Sequence, residues 1–366
     1  MLETFRLAKF RFTVCAKEQI RFPAYKGSAF RGGFGYAFKR VVCVIKGKPC
    51  DECLLKQKCI YSYIFETPPP EDAKMLRLYP QVPHPFVIEP PVTEKQSFGS
   101  GEEFSFHIIL IGQAIDYLPY FIYTFTELGK QGIGQGRGKY DLIQVEGISL
   151  KDEAVRIYDK KTETLTCNYP VITQQSCNRK DFNHEAHEGH KEITCGEKST
   201  ANGLHASTAI SSPYEGEDKG GVRKLPESDS SQGNIHNSTI TISLLTPLRL
   251  RFDGRITDKV EFHVLIRNLL RRISSLSYFH CGEKLEIDFK GLIERAGAVK
   301  MRKSDTKWFD WKRFSTRQEK WMSLGGITGT VSYEGDLAEF TPLLKLGEYV
   351  HVGKGTSFGL GKYEIL

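Results

Sequence analysis

The sequence predicts an α+β chain of two similar domains, each ordered β-α-β-β-α-β, with a disordered polar insert between them. Three observations carry this reading. The octapeptide GRGKYDLI at residues 136–143 returns as GLGKYEIL at 359–366, the hydrophobic patterns preceding each copy follow one order, and residues 171–237 have the composition of neither. At 366 residues the chain has room for two domains.

The first domain spans residues 1–160. It opens on a strand, FRLAKFRFTV, followed by a helix at SAFRGGFGYAFKRVV, where Phe30, Phe34, Phe38 and Val41 recur at helical spacing. Strands follow at PFVIEPP and EFSFHIILIG, then a helix at LPYFIYTFTELG, and GRGKYDLI with the alternating QVEGISL closes the unit. The second domain, residues 238–366, opens with TITISLLTPLRLRF and runs into DKVEFHVLIRNLLRRISSLSYF, the clearest helix in the chain. There Phe262, Leu265, Leu269, Ile273 and Leu276 form one apolar stripe, and Asp258 with Glu261 fits a capping box. A strand at GGITGTVSYEG, a helix at AEFTPLLKLGEY and the glycine-rich VHVGKGTSFGLGKYEIL complete the second unit. Both domains therefore read as ferredoxin-like.

The insert at 171–237 is rich in Ser, Thr, Asn, Gly, Glu and His and cannot bury enough surface to offset the entropy of ordering it. It carries 7 Lys and Arg against 10 Asp and Glu, whereas the whole chain is +7, so the basic character belongs to the folded domains. That favours a polyanionic partner. The N-terminus lacks the apolar core and small-residue cleavage site of a signal peptide, and no apolar run is long enough to span a membrane. A cytoplasmic location without membrane partners is expected, in which the nine cysteines are thiols or metal ligands and not a disulfide framework.

Three features suit nucleic acid. Arg267 and Arg271 lie on one polar line of the long helix with His263 and Ser275, a pattern that also fits a solvated face. The stretch KMRKSDTKWFDWKRFSTRQEKW interleaves cations, among them Lys303, Arg313 and Arg317, with aromatic rings on which unpaired bases can stack. In VGKGTSFGLGK, the glycines Gly353, Gly355, Gly359 and Gly361 allow a backbone to approach a phosphate and Lys354 adds charge; a tight bend at a sheet edge is the alternative. The spacing matches neither a dinucleotide fingerprint nor a Walker loop.

The order of the two halves, the early C-x-x-C segment and the C-terminal run from WKRFSTRQEKWMSLGGITGTVSYEGD to GLGKYEI resemble the CRISPR-associated endoribonucleases that cut precursor repeat RNA, in the RAMP superfamily. The resemblance implies a metal-independent cut in which the upstream 2′-hydroxyl attacks the phosphate, leaving a 2′,3′-cyclic phosphate and a 5′-hydroxyl. It also implies that the C-terminal glycine loop touches repeat RNA. A non-catalytic RNA-binding subunit of a CRISPR effector complex is the alternative.

Such a cut needs a base, an acid and cationic donors. In that family the catalytic histidine usually lies near the first helix, and here the first histidine past it is His84, with Tyr36 on the helix as a partner; His351, two residues before Gly353, is the other candidate. Cys43, Cys50, Cys53 and Cys59, spaced C-x6-C-x2-C-x5-C across a loop at 43–59, suggest a structural zinc that braces the loop, with an iron–sulfur cluster or unligated thiols as the alternatives and no catalytic metal expected.

Overall fold

The structure is a computed structural model that describes residues 2–69, 82–178, 238–315 and 320–366. The first domain contains β1 (Arg6–Ala16), α1 (Gly27–Val42), β2 (Phe86–Glu89), β3 (Glu103–Ile111), α2 (Leu118–Gln131) and β4 (Tyr140–Ile148). The second contains β5 (Ser238–Leu248), α3 (Phe262–Leu276), α4 (Phe289–Ala298), β6 (Lys300–Phe309), β7 (Gly326–Gly335), α5 (Thr341–Val350) and β8 (Tyr363–Ile365). The antiparallel sheets run β2-β3-β1-β4 and β6-β7-β5-β8. Each domain thus places its first and third strands in the centre and returns the fourth beside the first, the ferredoxin-like order in tandem.

The repeated octapeptide has a packing explanation. Tyr140 and Tyr363 are both buried at the start of the last strand, and each hydroxyl donates to a carbonyl of its domain's last helix, Phe125 of α2 at 2.9 Å and Leu344 of α5 at 2.6 Å. Each helix meets its tyrosine at a glycine, Gly129 or Gly347, where a Cβ would strike the tyrosine. One anchoring device, a phenol reaching past a glycine to a helix carbonyl, occurs twice.

Phenylalanines fill the first core. Phe34 of α1 stacks on Phe121 and Phe125 of α2 at 4.8 and 5.0 Å, while Phe12 and Phe106 stack across the β1–β3 register at 5.3 Å. In the second domain the whole stripe from Phe262 to Leu276 is buried. The capping box does not form: α3 starts at Phe262, and neither Asp258 nor Glu261 caps it through a side chain. The sequence reading passed over α4, which Asp288 caps by accepting from Gly291 N at 2.9 Å. It also read the basic stretch at 300–309 as a surface and not as a strand; β6 is both, an edge strand exposed on most of its length.

The insert boundary moves as well. Ile172 and Thr173 pair with Leu7 and Arg6, and Ile172 is buried, so ordered structure continues past 171. Most of the expected insert, 179–237, lies outside the described residues. Cys167 is disulfide-bonded, against the expectation of thiols without disulfides, whereas Cys15, Cys43, Cys50, Cys53, Cys59 and Cys281 are free. No helix among the described residues is long and apolar enough to cross a membrane.

The domains share one core. Phe5, Leu7, Val87, Ile109 and Ile111 from the first sheet cluster with Leu265, Leu269 and Ile273 of α3. Beside this seam the turn at Gly355–Gly359 lies against the first turn of α1. Tyr25 donates its hydroxyl to Phe358 O at 2.7 Å, and a Cβ on Gly27 would collide with that same carbonyl. Gly359, at φ +83°, faces Ile88 O at the distance where a side chain would clash.

Polar groups lock the seam. His351, fully buried at the end of α5, places Nδ1 3.1 Å from Leu360 O and Nε2 2.9 Å from Glu89 Oε1. Both partners are acceptors, so one proton lies between the ring and the carboxylate. Burial pulls the His351 pKa down and the Glu89 hydrogen bond pushes it back. Burial alone would raise Glu89; the His351 hydrogen bond and the ammonium groups of Lys362 and Lys9 outweigh it and hold this carboxyl well below its usual range. His280 donates from Nε2 to Pro83 O at 2.8 Å and accepts at Nδ1 from the Tyr63 hydroxyl at 3.2 Å, so its neutral ring is satisfied. Burial, chiefly, lowers its pKa to about 4.

Two outcomes follow from this seam. Gly27→Ala has an ordinary helical site but no room, and it should destabilise the chain by about 1–3 kcal/mol in denaturant titration; an unchanged midpoint would show that the seam is looser than described. Below about pH 6.5 the unfolded chain protonates His280 and the folded chain does not, so stability should fall with acid, from this residue alone by roughly 1.4 kcal/mol per pH unit down to about pH 4. His280→Gln should flatten that slope by about one proton, and an unaltered slope would mean that His280 titrates freely in the fold.

Candidate functional site

Helix α1 is two-faced. Phe30, Phe34, Ala37 and Phe38 point into the core, and the opposite side carries Arg31, Gly32, Gly35, Tyr36, Lys39 and Arg40 along a cleft of 1670 Å3. Besides Gly27 at its start the helix carries Gly32, Gly33 and Gly35 in its interior, each of which costs about 1 kcal/mol of helix propensity relative to alanine. Gly33 earns its place by packing on Leu128, while Gly32 has nothing within 4 Å and leaves the cleft wall low.

The remaining walls come from four segments. Ile45–Pro49 closes one side, and the loop from Gln131 to Arg137, part of the first glycine-rich copy, stands across from α1. Tyr61, Phe65, Glu66 and His84 contribute from beyond the helix, and Met322 and Phe358 reach in from the second domain. Arg31, Lys39, Arg40, Lys46, Lys48 and Arg137 face a single acidic residue, Glu66, so the cleft is strongly electropositive. Cations and rings are paired along it: Arg31 lies 4.5 Å from the Phe65 centroid, Lys39 5.2 Å from Tyr61 and Arg40 5.8 Å from Tyr36, which is 62% exposed.

His84 stands at the inner end. Thr67 Oγ1 donates to Val82 O at 3.3 Å, so it accepts from His84 Nδ1 at 3.2 Å. That leaves Nε2 unprotonated, accepting from Arg31 Nη2 at 3.1 Å. The ring stacks in parallel on Phe86 at 5.6 Å. Burial, followed by the charges of Arg31 and Arg272 and by His280, pulls the His84 pKa down to about 3. The result is a neutral imidazole of fixed tautomer whose lone pair faces a guanidinium.

Among the residues singled out from sequence, His84, Tyr36 and Cys43 line this cleft. His351 does not; it is sealed in the domain seam with both nitrogens occupied and has no surface to offer a substrate. Gly353, Gly355, Gly359 and Gly361 all have positive φ, but their open sides are filled by Arg249 O, Leu360, Ile88 O and Val352 O, so they serve close packing and not an exposed cradle. Lys354 is exposed, and its backbone N–H donates to Arg249 O at 2.9 Å. Arg267 and Arg271 are exposed on α3 and Lys303 on β6, all outside the cleft lining. Arg313 sits on a short strand opposite Met322, and Arg317 lies outside the described residues.

The zinc expectation finds no site. Among the described residues no three His, Cys, Asp or Glu side chains gather as metal ligands, and Cys43 Sγ turns to Ile45 O at 3.2 Å. Sequence reasoning also missed the basic residues of the cleft. The available signal was the glycine-and-cation stripe opposite the phenylalanines of α1.

Comparison with known proteins fits this architecture. Residues 242–363 match the family model described as CRISPR-associated endoribonuclease Cas6, and residues 5–170 match one described as an N-terminal domain. An uncharacterized protein of Archaeoglobus fulgidus is 30% identical over 145 residues, 39% of this chain and 46% of that protein, so the chain spans about half the length of this curated relative. A Cas6 product complex is similar in fold, with a TM-score of 0.52 at 12% identity over 98% of this chain and 100% of that one. A partial Cas6-RT-Cas1–Cas2 complex has a TM-score of 0.50 at 13% identity over 100% of this chain and 47% of that one. The second of the two tandem ferredoxin-like domains therefore matches the Cas6 endoribonuclease model, and the fold of the whole chain is similar to that of solved Cas6 structures.

Proposed function

We propose that this chain cuts CRISPR repeat RNA within the α1 cleft, by attack of a 2′-hydroxyl on the adjacent phosphate. The observation that carries the reading is His84, an unprotonated Nε2 beside Arg31 at the inner end of a cleft lined by cations. The scissile phosphate enters against Arg31, whose guanidinium leaves Nε2 for the phosphate oxygens. Nε2 then takes the 2′-hydroxyl proton, and the oxygen closes on phosphorus to give a 2′,3′-cyclic phosphate. Tyr36, a little over one turn along α1 from Arg31, supplies the proton to the departing 5′-oxygen, which leaves as a 5′-hydroxyl. Arg31 stabilises the added negative charge of the transition state. The outer cations hold flanking phosphates, and Tyr36 and Tyr61 offer faces for unpaired bases.

This chemistry needs no metal, because base, acid and charge acceptors are all side chains. Purified chain incubated with the repeat of its own locus in chelator should yield 2′,3′-cyclic phosphate and 5′-hydroxyl ends. His84→Ala should slow the cut by about 100-fold or more while leaving RNA affinity nearly intact. Binding without cleavage by the wild-type chain would favour an RNA-retaining subunit of an effector complex. Because the His84 pKa is lowered, kcat/KM should stay level from pH 8 to pH 6, where an ordinary histidine base would retain roughly a quarter of its activity. A fall centred near pH 6.5 would remove His84 from the role.

A further inference from the structure

The geometry points to Phe358 as a positioning residue for Arg31, supplied by the second domain to a site built on the first. The inference rests on the nuclease reading above. Arg31 lies between two rings, Phe65 at 4.5 Å and Phe358 at 5.4 Å from the guanidinium carbon, while its Nη2 reaches His84 Nε2 at 3.1 Å. Phe65 is buried and packed at tilted angles against Phe34, Phe38 and Phe86, so its face is rigid.

Phe358 is fixed through its backbone. Its N–H donates to Gly355 O at 2.9 Å, its carbonyl accepts from Tyr25 at 2.7 Å, and Gly359 turns the chain at φ +83° immediately after it. The turn that carries the ring therefore docks through main-chain atoms, while the ring itself packs beside Tyr25, Trp311 and Leu360 and lies against the Arg31 guanidinium. A guanidinium between two ring faces keeps its planar fork oriented, in this case toward His84 and the cleft. The C-terminal glycine turn thus acts on the reaction through one aromatic face and not through glycine N–H groups, and the site is complete only when the two domains are docked.

The test uses the full chain, single-turnover cleavage of its locus repeat, RNA affinity and thermal melting, on Phe358→Leu and Phe358→Tyr. Leucine keeps the apolar volume and removes the ring. Phe358→Leu should lower the rate at saturating RNA roughly tenfold, with RNA affinity within about twofold and an unchanged melting temperature. Phe358→Tyr should restore the rate. A Phe358→Leu chain that cuts at the wild-type rate overturns the inference, as does a loss that tracks affinity or melting temperature and is not restored by tyrosine. Wild-type chain that binds the repeat without cutting it overturns the nuclease reading, and the positioning role falls with it.

Discussion

The cleft depends on how closely the turn at Gly355–Gly359 approaches the start of α1. Gly27 and Gly359 remove the two Cβ atoms that would hold the backbones apart, and Tyr25 spans the remaining gap with one hydrogen bond to Phe358 O. Close by, the proton between His351 and Glu89 ties the end of α5 to β2, and Lys362 and Lys9 keep that carboxylate charged. A buried ion cluster gains little net stability over apolar packing, but it is costly to break because a lone charge would be left in the core. The seam is therefore specific, and it brings Phe358 to Arg31.

The two glycine-rich copies divide their labour along this seam. Both keep the tyrosine that reaches past a helix glycine to a carbonyl, since that anchor belongs to the fold. They differ in what surrounds the glycines. Around Gly353–Gly361 every open side is taken by backbone or apolar side chains; Gly132, Gly134 and Gly138 are filled by backbone in the same way, but Gly136 has nothing within 4 Å and its neighbour Arg137 lines the cleft. The sequence favoured the second copy for RNA contact because a lysine and a histidine precede it. In the fold that histidine is a buried strut, and the first copy is the one that sets a cation, Arg137, on the cleft.

Much of the fold was legible because it rests on local periodicity. The stripe from Phe262 to Leu276 and the phenylalanines of α1 each point to one face, and the duplicated octapeptide fixes the tandem arrangement. What escaped were features decided by tertiary partners. Asp258 resembles a cap, but the helix begins after it, and the cations of 300–309 masked an edge strand. His351 and His84 look alike in sequence; the difference lies in Glu89 and Leu360 on one side and Arg31 and Thr67 on the other, contacts that span up to 262 residues. The cysteine spacing suggested a ligand set, but among the described residues no three His, Cys, Asp or Glu side chains gather as one.

These contacts account for a site in which a neutral histidine, a ring-flanked arginine and an electropositive wall meet between two ferredoxin-like domains. On the proposed reading, RNA lies in the α1 cleft and not along α3 or the C-terminal glycine turn. Photo-crosslinking of thiouridine-substituted repeat RNA to the full chain, with the joined residues mapped by mass spectrometry, tests it most directly. Crosslinks should fall on Tyr36, Tyr61 and the 131–137 loop; crosslinks confined to the faces of Arg267 and Arg271 or to residues 353–355 would contradict it.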